Sequence, residues 1–171
     1  VQKDAGELYA RLYAERCGVE ALSWRYFNVF GPGQDPSGEY SSVIPKFIAT
    51  MLRSERPVIY GDGQTSRDFV YIDDVVEATF LAATVDGAGG EILNVGSGVA
   101  TTVQEVVAAL FSAYDTEVPV AISGNFRLGD IRHNVADIGR LRAVLGFTPA
   151  VAFADGVARF AEWVLTEPIG D

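Results

Sequence analysis

Residues Arg25 to Pro32 read RYFNVFGP. A short aromatic strand runs into a Gly/Pro-rich loop, and Asn28 stands where the strand is expected to end. In an open α/β sheet, the loop beyond the carboxyl end of a strand is where a ligand binds. Alone, these eight residues read equally well as a buried strand and a turn, because short motifs are weak. The sequence on either side has to decide.

Working outward, Ala5, Leu8, Tyr9, Leu12 and Tyr13 fall on one face of a helix predicted over residues 4–17, which Gly18 stops. A strand follows over 21–27. Beyond the loop at 31–40, a helix starting near Ser42 is expected to bury Ile44, Phe47, Ile48 and Met51, with Pro45 tolerated in its first turn. A strand at 58–60, a turn at 61–63 and an extended stretch at 67–72 come next. The helix predicted at 73–84 carries Asp74 and Glu77 at capping-box spacing. It is apolar nearly all round (Val75, Val76, Ala78, Phe80, Leu81), which predicts a central position, and Asp73 and Asp74 read as its caps. After a strand at 92–95, Thr102 and Glu105 form a second capping box ahead of a helix burying Val103, Val106, Val107, Leu110 and Phe111. A strand at 117–122 and helices at 138–145 and 153–165 complete the chain. Strands alternate with helices throughout, which predicts an α/β sheet.

Composition narrows the function classes. The 171 residues are 49% hydrophobic and 21% charged, ordinary for a globular chain. A net charge of −10 and a pI near 4.5 argue against a nucleic-acid or anionic-membrane surface. An anionic small ligand is compatible, since a few arginines and helix N-termini bind phosphate inside an acidic protein. No apolar run approaches the roughly 20 residues of a bilayer crossing, and the opening VQKDAGELY does not resemble a signal peptide; a cytoplasmic location is expected. The single Cys17 excludes an internal disulfide framework and is expected to be a buried structural thiol. His133 is the one histidine, so no metal site is expected.

A doubly wound nucleotide-binding sheet starts with a strand, a glycine-rich turn and a helix. This sequence instead opens on a helix and contains no G-x-G-x-x-G. The runs VQKDAGELYARLY, RYFNVFGPGQDP, VIPKFI, YGDGQTSRDFVYIDDVVEA, NVGSG and RLGDIRHNVAD, in that order, resemble the extended short-chain dehydrogenase/reductase family. Within it they are most similar to the NAD-dependent nucleotide-sugar 4-epimerases of the UDP-glucose/UDP-galactose type.

The resemblance implies a partial Rossmann-like doubly wound sheet, of which only the last strands are present, and a smaller C-terminal substrate-binding α/β subdomain. Residues 1–30 would be the tail of the NAD-binding domain. Residues 31–171 would be mainly the nucleotide-sugar-binding part, with 73–98 returning to the Rossmann sheet. The family's Tyr-x-x-x-Lys motif, with Glu four residues on, matches at Lys3 and Glu7. Its tyrosine would precede Val1 by two residues, as the glycine-rich loop would by more, so the chain reads as a carboxyl-terminal half and is expected to be inactive alone. Tyr9 and Tyr13 are out of register for the catalytic tyrosine.

The implied roles are as follows. Lys3 would bond the nicotinamide ribose and lower the tyrosine pKa, so that a 4-keto sugar forms and is reduced from its other face. Tyr26 and Phe27 would line the nicotinamide. Asn28 would bond the sugar nucleotide near its diphosphate. Val43, Ile44, Ile59 and Tyr60 would contact the nucleotide. Arg67 and Arg127 would bind the diphosphate, and Asp130 would accept from the ribose. The first helix resembles one of the pair that builds the family's homodimer. Two rivals stand beside the epimerase reading: a 4,6-dehydratase or reductase of the same fold, and a noncatalytic nucleotide-sugar-binding module.

Overall fold

The computed structural model describes residues 2–34, 42–125 and 129–166. Helix α1 (Gln2–Cys17) leads into strand β1 (Ser23–Tyr26), and after a single intervening residue, Phe27, the chain continues as β2 (Asn28–Phe30). These two strands serve different partners. β1 pairs in parallel with β6 (Ile92–Val95), matching Tyr26 with Val95, whereas β2 pairs in parallel with β5 (Phe69–Tyr71), matching Asn28 with Phe69. The strand predicted over 21–27 therefore does not simply end at Asn28. It changes sheets there.

Alternation along the β2/β5 ladder makes it a shared wall between two cores, since successive strand residues point to opposite faces. Phe30, Phe69 and Tyr71 enter one cluster, with Ile44, Phe47 and Ile48 of α2 (Val43–Leu52), Val106 and Leu110 of α4 (Val103–Ala113), and Val157 and Phe160 of α6 (Phe153–Thr166). Val29 and Val70 face the other, with Leu93 and Val95 of β6, Val75 and Ala78 of α3 (Ile72–Thr84), and Leu141 and Leu145 of α5 (Gly139–Leu145). The all-buried run of β5 is what a strand covered on both faces requires.

Close approach fixes how α6 sits on this wall. A Cβ at Gly156 would lie 2.8 Å from the Phe30 ring and 2.9 Å from Tyr71, so the helix backbone itself packs on the sheet. Gly31, at φ 142°, turns the chain out of β2 where a side chain would meet Ile72 at 2.6 Å. Gly146 takes the left-handed cap position of α5, as its sequence position predicts.

The capping box at Thr102 and Glu105 forms in full. Two small sheets complete the described architecture: β3 (Val58–Ile59) with β8 (Ala121–Ile122), and β4 (Ser66–Arg67) between β7 (Thr101–Thr102) and β9 (His133–Asn134). The strand expected over 117–122 shrinks to its last two residues.

Three expectations are corrected. The helix α3 is not central on all sides: Val76 and Phe80 are 60% and 66% exposed. Its N-cap is Tyr71, with no side-chain cap bond, and Asp74 does other work, accepting from the Ala150 and Val151 N–H groups at 2.9 and 3.1 Å. Asp73 lies 3.7 Å from Arg159. Cys17 is exposed, because α1 buries none of its residues.

Candidate functional site

A cleft of about 700 Å³ opens over the β7-β4-β9 ladder. Val43, Lys46, Phe47 and Thr50, one face of α2 at helical spacing, form one wall, and Val58, Tyr60 and Gly61 form another. Thr65, Arg67, Phe69, Thr101, Val103 and the segment Asp130–Ile131–Arg132 line its floor and far side, and Glu55 and Arg56 also line it. A volume of this size suits a ligand of nucleotide scale.

Arg67 is the best-held cation in it. Its Nη1 donates to the Ser66 carbonyl at 2.8 Å and to the Arg132 carbonyl at 3.5 Å, and its Nη2 donates to Asp130 Oδ1 at 2.6 Å. A guanidinium carries five N–H groups. The Nε–H and one Nη2–H of Arg67 therefore remain without a partner among the described residues, on a side chain only 21% exposed. Such a group is pre-positioned for a phosphate or carboxylate oxygen. Arg132 is tied instead to Asp62 at 2.6 Å. The Asp62 carboxyl is held below its ordinary range, first by the Gln64 N–H and then by Arg132.

Just behind Arg67 sits a carboxylate with no exposure at all. Asp68 Oδ1 accepts from the Ser97 N–H (2.6 Å) and the Ser97 hydroxyl (2.7 Å), and Oδ2 accepts from the Gly98 N–H (2.9 Å) and the Ala136 N–H (3.0 Å). Its backbone carbonyl accepts from both the Asn28 N–H and the Asn28 side-chain amide, at 3.0 and 2.9 Å. Asp68 thus links the Arg67 cleft to the junction between β1 and β2.

On the far side of that junction, Arg25 of β1 makes a two-pronged pair with Glu7 of α1, both contacts at 2.7 Å. The Arg25 hydrogen bonds hold the Glu7 carboxyl below its usual range. This contact joins α1 to β1 across 18 positions of sequence. Lys3 lies one helical turn before Glu7 on α1. Tyr26, 49% exposed, stacks on Trp24 with ring centroids 6.1 Å apart.

The model of a family described as "NAD dependent epimerase/dehydratase family" matches residues 1–96. The chain belongs to that family. UDP-glucose 4-epimerase of Mycolicibacterium smegmatis is 38% identical over 161 residues, which cover 94% of this chain and 50% of the relative. dTDP-glucose 4,6-dehydratase of Streptomyces griseus is 31% identical over 161 residues, covering 94% of this chain and 48% of the relative. Among solved structures, UDP-N-acetylglucosamine 4-epimerase from Methanobrevibacter ruminantium, in complex with UDP-N-acetylmuramic acid, superposes with a TM-score of 0.89 at 36% identity, covering 96% of this chain and 52% of that one. The chain spans about half the length of these epimerase/dehydratase relatives.

Placed in this family's terms, the residues singled out in the sequence divide into two groups. Val43, Tyr60, Arg67 and Asp130 line the cleft. Tyr26, Phe27 and Asn28 stand together at the β1–β2 junction, with Phe27 packed against the β1/β6 core, and Lys3 lies on α1 one turn from Glu7, the partner of Arg25. Ile44 and Ile59 do not line the cleft; they are 0% and 3% exposed and belong to the core beside it. Arg127 lies outside the described residues.

Asp68 is the functional candidate the motif reading passed over. An acidic residue inside the apolar run SRDFVYI was the available signal, because a buried carboxylate demands donors. Among the described residues, no group of three or more metal-ligating side chains occurs, and no helix is long and apolar enough to cross a membrane.

Proposed function

We propose that this chain carries the nucleotide-sugar-binding part of an NAD-dependent 4-epimerase of the UDP-glucose/UDP-galactose type. The observation that carries the reading is Arg67, which lines a nucleotide-sized cleft and is restrained by three acceptors, with two N–H donors unpartnered among the described residues. That arrangement fits a diphosphate. Asp130 keeps its Oδ2 for a ribose hydroxyl while Oδ1 restrains Arg67. Val43 and Tyr60 would flank the base, Ile44 and Ile59 would back them from the core, and Arg127 would add a second cation.

Lys3, Tyr26 and Phe27 fit the nicotinamide end of NAD. A half-exposed aromatic ring at the carboxyl end of parallel strands, with a cation on the helix that Glu7 ties to the same strand, fits the place where such sheets bind dinucleotides. NAD, when bound, supplies hydride acceptance and return at the sugar carbon. Lys3 would hold the ribose hydroxyls and favour the ionised form of a nearby phenol by its charge. Asn28 would orient the sugar diphosphate between the two groups of residues. No tyrosine stands in motif register with Lys3 in these 171 residues, so they are expected to bind without turning over.

The test is calorimetry with UDP and UDP-glucose on the chain. Arg67→Ala should weaken binding by about 2 kcal/mol, the scale of one hydrogen bond to a charged group, without unfolding the protein. A folded chain that ignores millimolar UDP would sink the proposal. The 4,6-dehydratase reading draws support from three relatives named dTDP-glucose 4,6-dehydratase, 29–31% identical. Product analysis on a protein spanning the relatives' full length separates them: epimers in one case, a 4-keto-6-deoxy sugar in the other. A noncatalytic module would give neither.

A further inference from the structure

We propose that Asp68 is the positioning residue that sets where Asn28 presents its amide relative to Arg67. The inference rests on the nucleotide-sugar reading of the cleft. It begins from a shared peptide. Arg67 and Asp68 are consecutive, so the guanidinium that faces the cleft and the carbonyl that holds Asn28 are separated by a single residue of backbone. Whatever fixes the orientation of residue 68 fixes the offset between the two groups.

The Asp68 carboxylate does so from both sides. Its four donors come from two separate segments: Ser97 and Gly98 in the turn after β6, and Ala136 beyond β9. Three of the four are backbone N–H groups, which cannot swing to follow a displaced acceptor. The carboxylate has no exposure, so no water stands in for a lost partner. The residue is thereby clamped, and its carbonyl takes two hydrogen bonds from Asn28, one from the main chain and one from Nδ2. One Asn28 N–H is consumed in this way. Among the described residues the second N–H of the amide and its Oδ1 have no partner, and their orientation is dictated by residue 68 rather than by Asn28 itself.

Gly96 supplies an independent sign that the clamp is tight. A Cβ there would lie 2.6 Å from the Ala136 Cβ and 2.8 Å from Asp68 Oδ2. The turn packs directly on the carboxylate, and any side chain at position 96 would push it aside.

The experiment uses the ¹⁵N-labelled chain with UDP as the probe. Asp68→Asn preserves shape but sets an NH₂ group against backbone N–H donors. Gly96→Ala leaves the carboxylate in place and displaces it sterically. Both variants should keep a dispersed amide spectrum, shift the Asn28 side-chain resonances, and raise the UDP dissociation constant roughly tenfold. Combining Asp68→Asn with Asn28→Ala should cost no more affinity than Asn28→Ala alone, because one acts through the other.

A lowered melting temperature with unchanged Asn28 resonances would overturn the proposal, leaving Asp68 a purely structural residue. So would losses that multiply in the double variant. If the unaltered chain fails to bind UDP, the function reading falls, and the Asn28 resonances alone then uphold or overturn the positioning role.

Discussion

Helices α1 and α6 both repeat apolar residues at helical spacing and meet opposite fates. In α6, Val157, Phe160, Ala161 and Val164 are all buried. In α1, a more polar helix, Leu8, Tyr9, Leu12 and Tyr13 also share one face, yet each is 47% exposed or more and the helix buries nothing. Periodicity reports which face of a helix is apolar. It does not report what covers that face.

The sharpest way to break the comparison is truncation on each helix. Phe160→Ala should destabilise the chain by about 3–5 kcal/mol, a core cavity at a residue 1% exposed. Leu12→Ala should cost about 0.5 kcal/mol or less. Urea unfolding of both variants checks this, and comparable losses would mean that α1 is packed in solution.

The two helices are also tethered differently. Asp74 reaches from α3 to the Ala150–Val151 backbone just ahead of α6, a link from one core to the other. Asp74→Ala leaves those N–H groups without an acceptor and should cost roughly 2–3 kcal/mol. α1 is fastened by the surface pair Glu7–Arg25, and Glu7→Ala should cost less, with a difference from the parent chain that shrinks as salt is added.

The smallest contrast lies at a helix start. Thr102→Ala removes the capping box of α4 and should cost about 1 kcal/mol. Bonds from the Thr102 N–H and hydroxyl depress the Glu105 carboxyl below its ordinary range. A depressed acid contributes stability above its unfolded pKa and loses it as pH falls through the folded one. The gap between parent and variant should therefore be full at pH 7 and narrow below about pH 4. A gap independent of pH would show that the Thr102 hydroxyl does not hold Glu105, since the N–H of residue 102 still reaches it in the variant.

What was legible in the sequence follows from the same physics. Helices α1, α2, α4, α5 and α6 announce themselves because an apolar face recurring every three to four residues is a local signal, whatever the fold later places over it. The capping box at Thr102 is a local bond between residues three apart, readable without knowing the tertiary structure. β7 and β9 are two-residue strands. Two residues have no period, so nothing marks them. Asp73 and Asp74 read as caps because cap chemistry is local. Asp74 was instead recruited by a backbone segment 76 residues away, which no spacing rule encodes. At the site, Arg67 was legible from its motif, while Asp68 was hidden because its four donors come from segments scattered along the chain.

The single residue between β1 and β2 has a further consequence. Phe27 closes one ladder by donating to the Val95 carbonyl, and Asn28 opens the next by pairing with Phe69. Two sheets thus share one continuous thread with no slack. An insertion of one residue within Ser23–Tyr26 or Asn28–Phe30 would throw that ladder out of phase and turn its inward side chains outward unless a bulge absorbs it. Length variation within either strand is therefore costly to the protein. The turn at 53–57, which joins α2 to a two-residue strand, carries no such restriction.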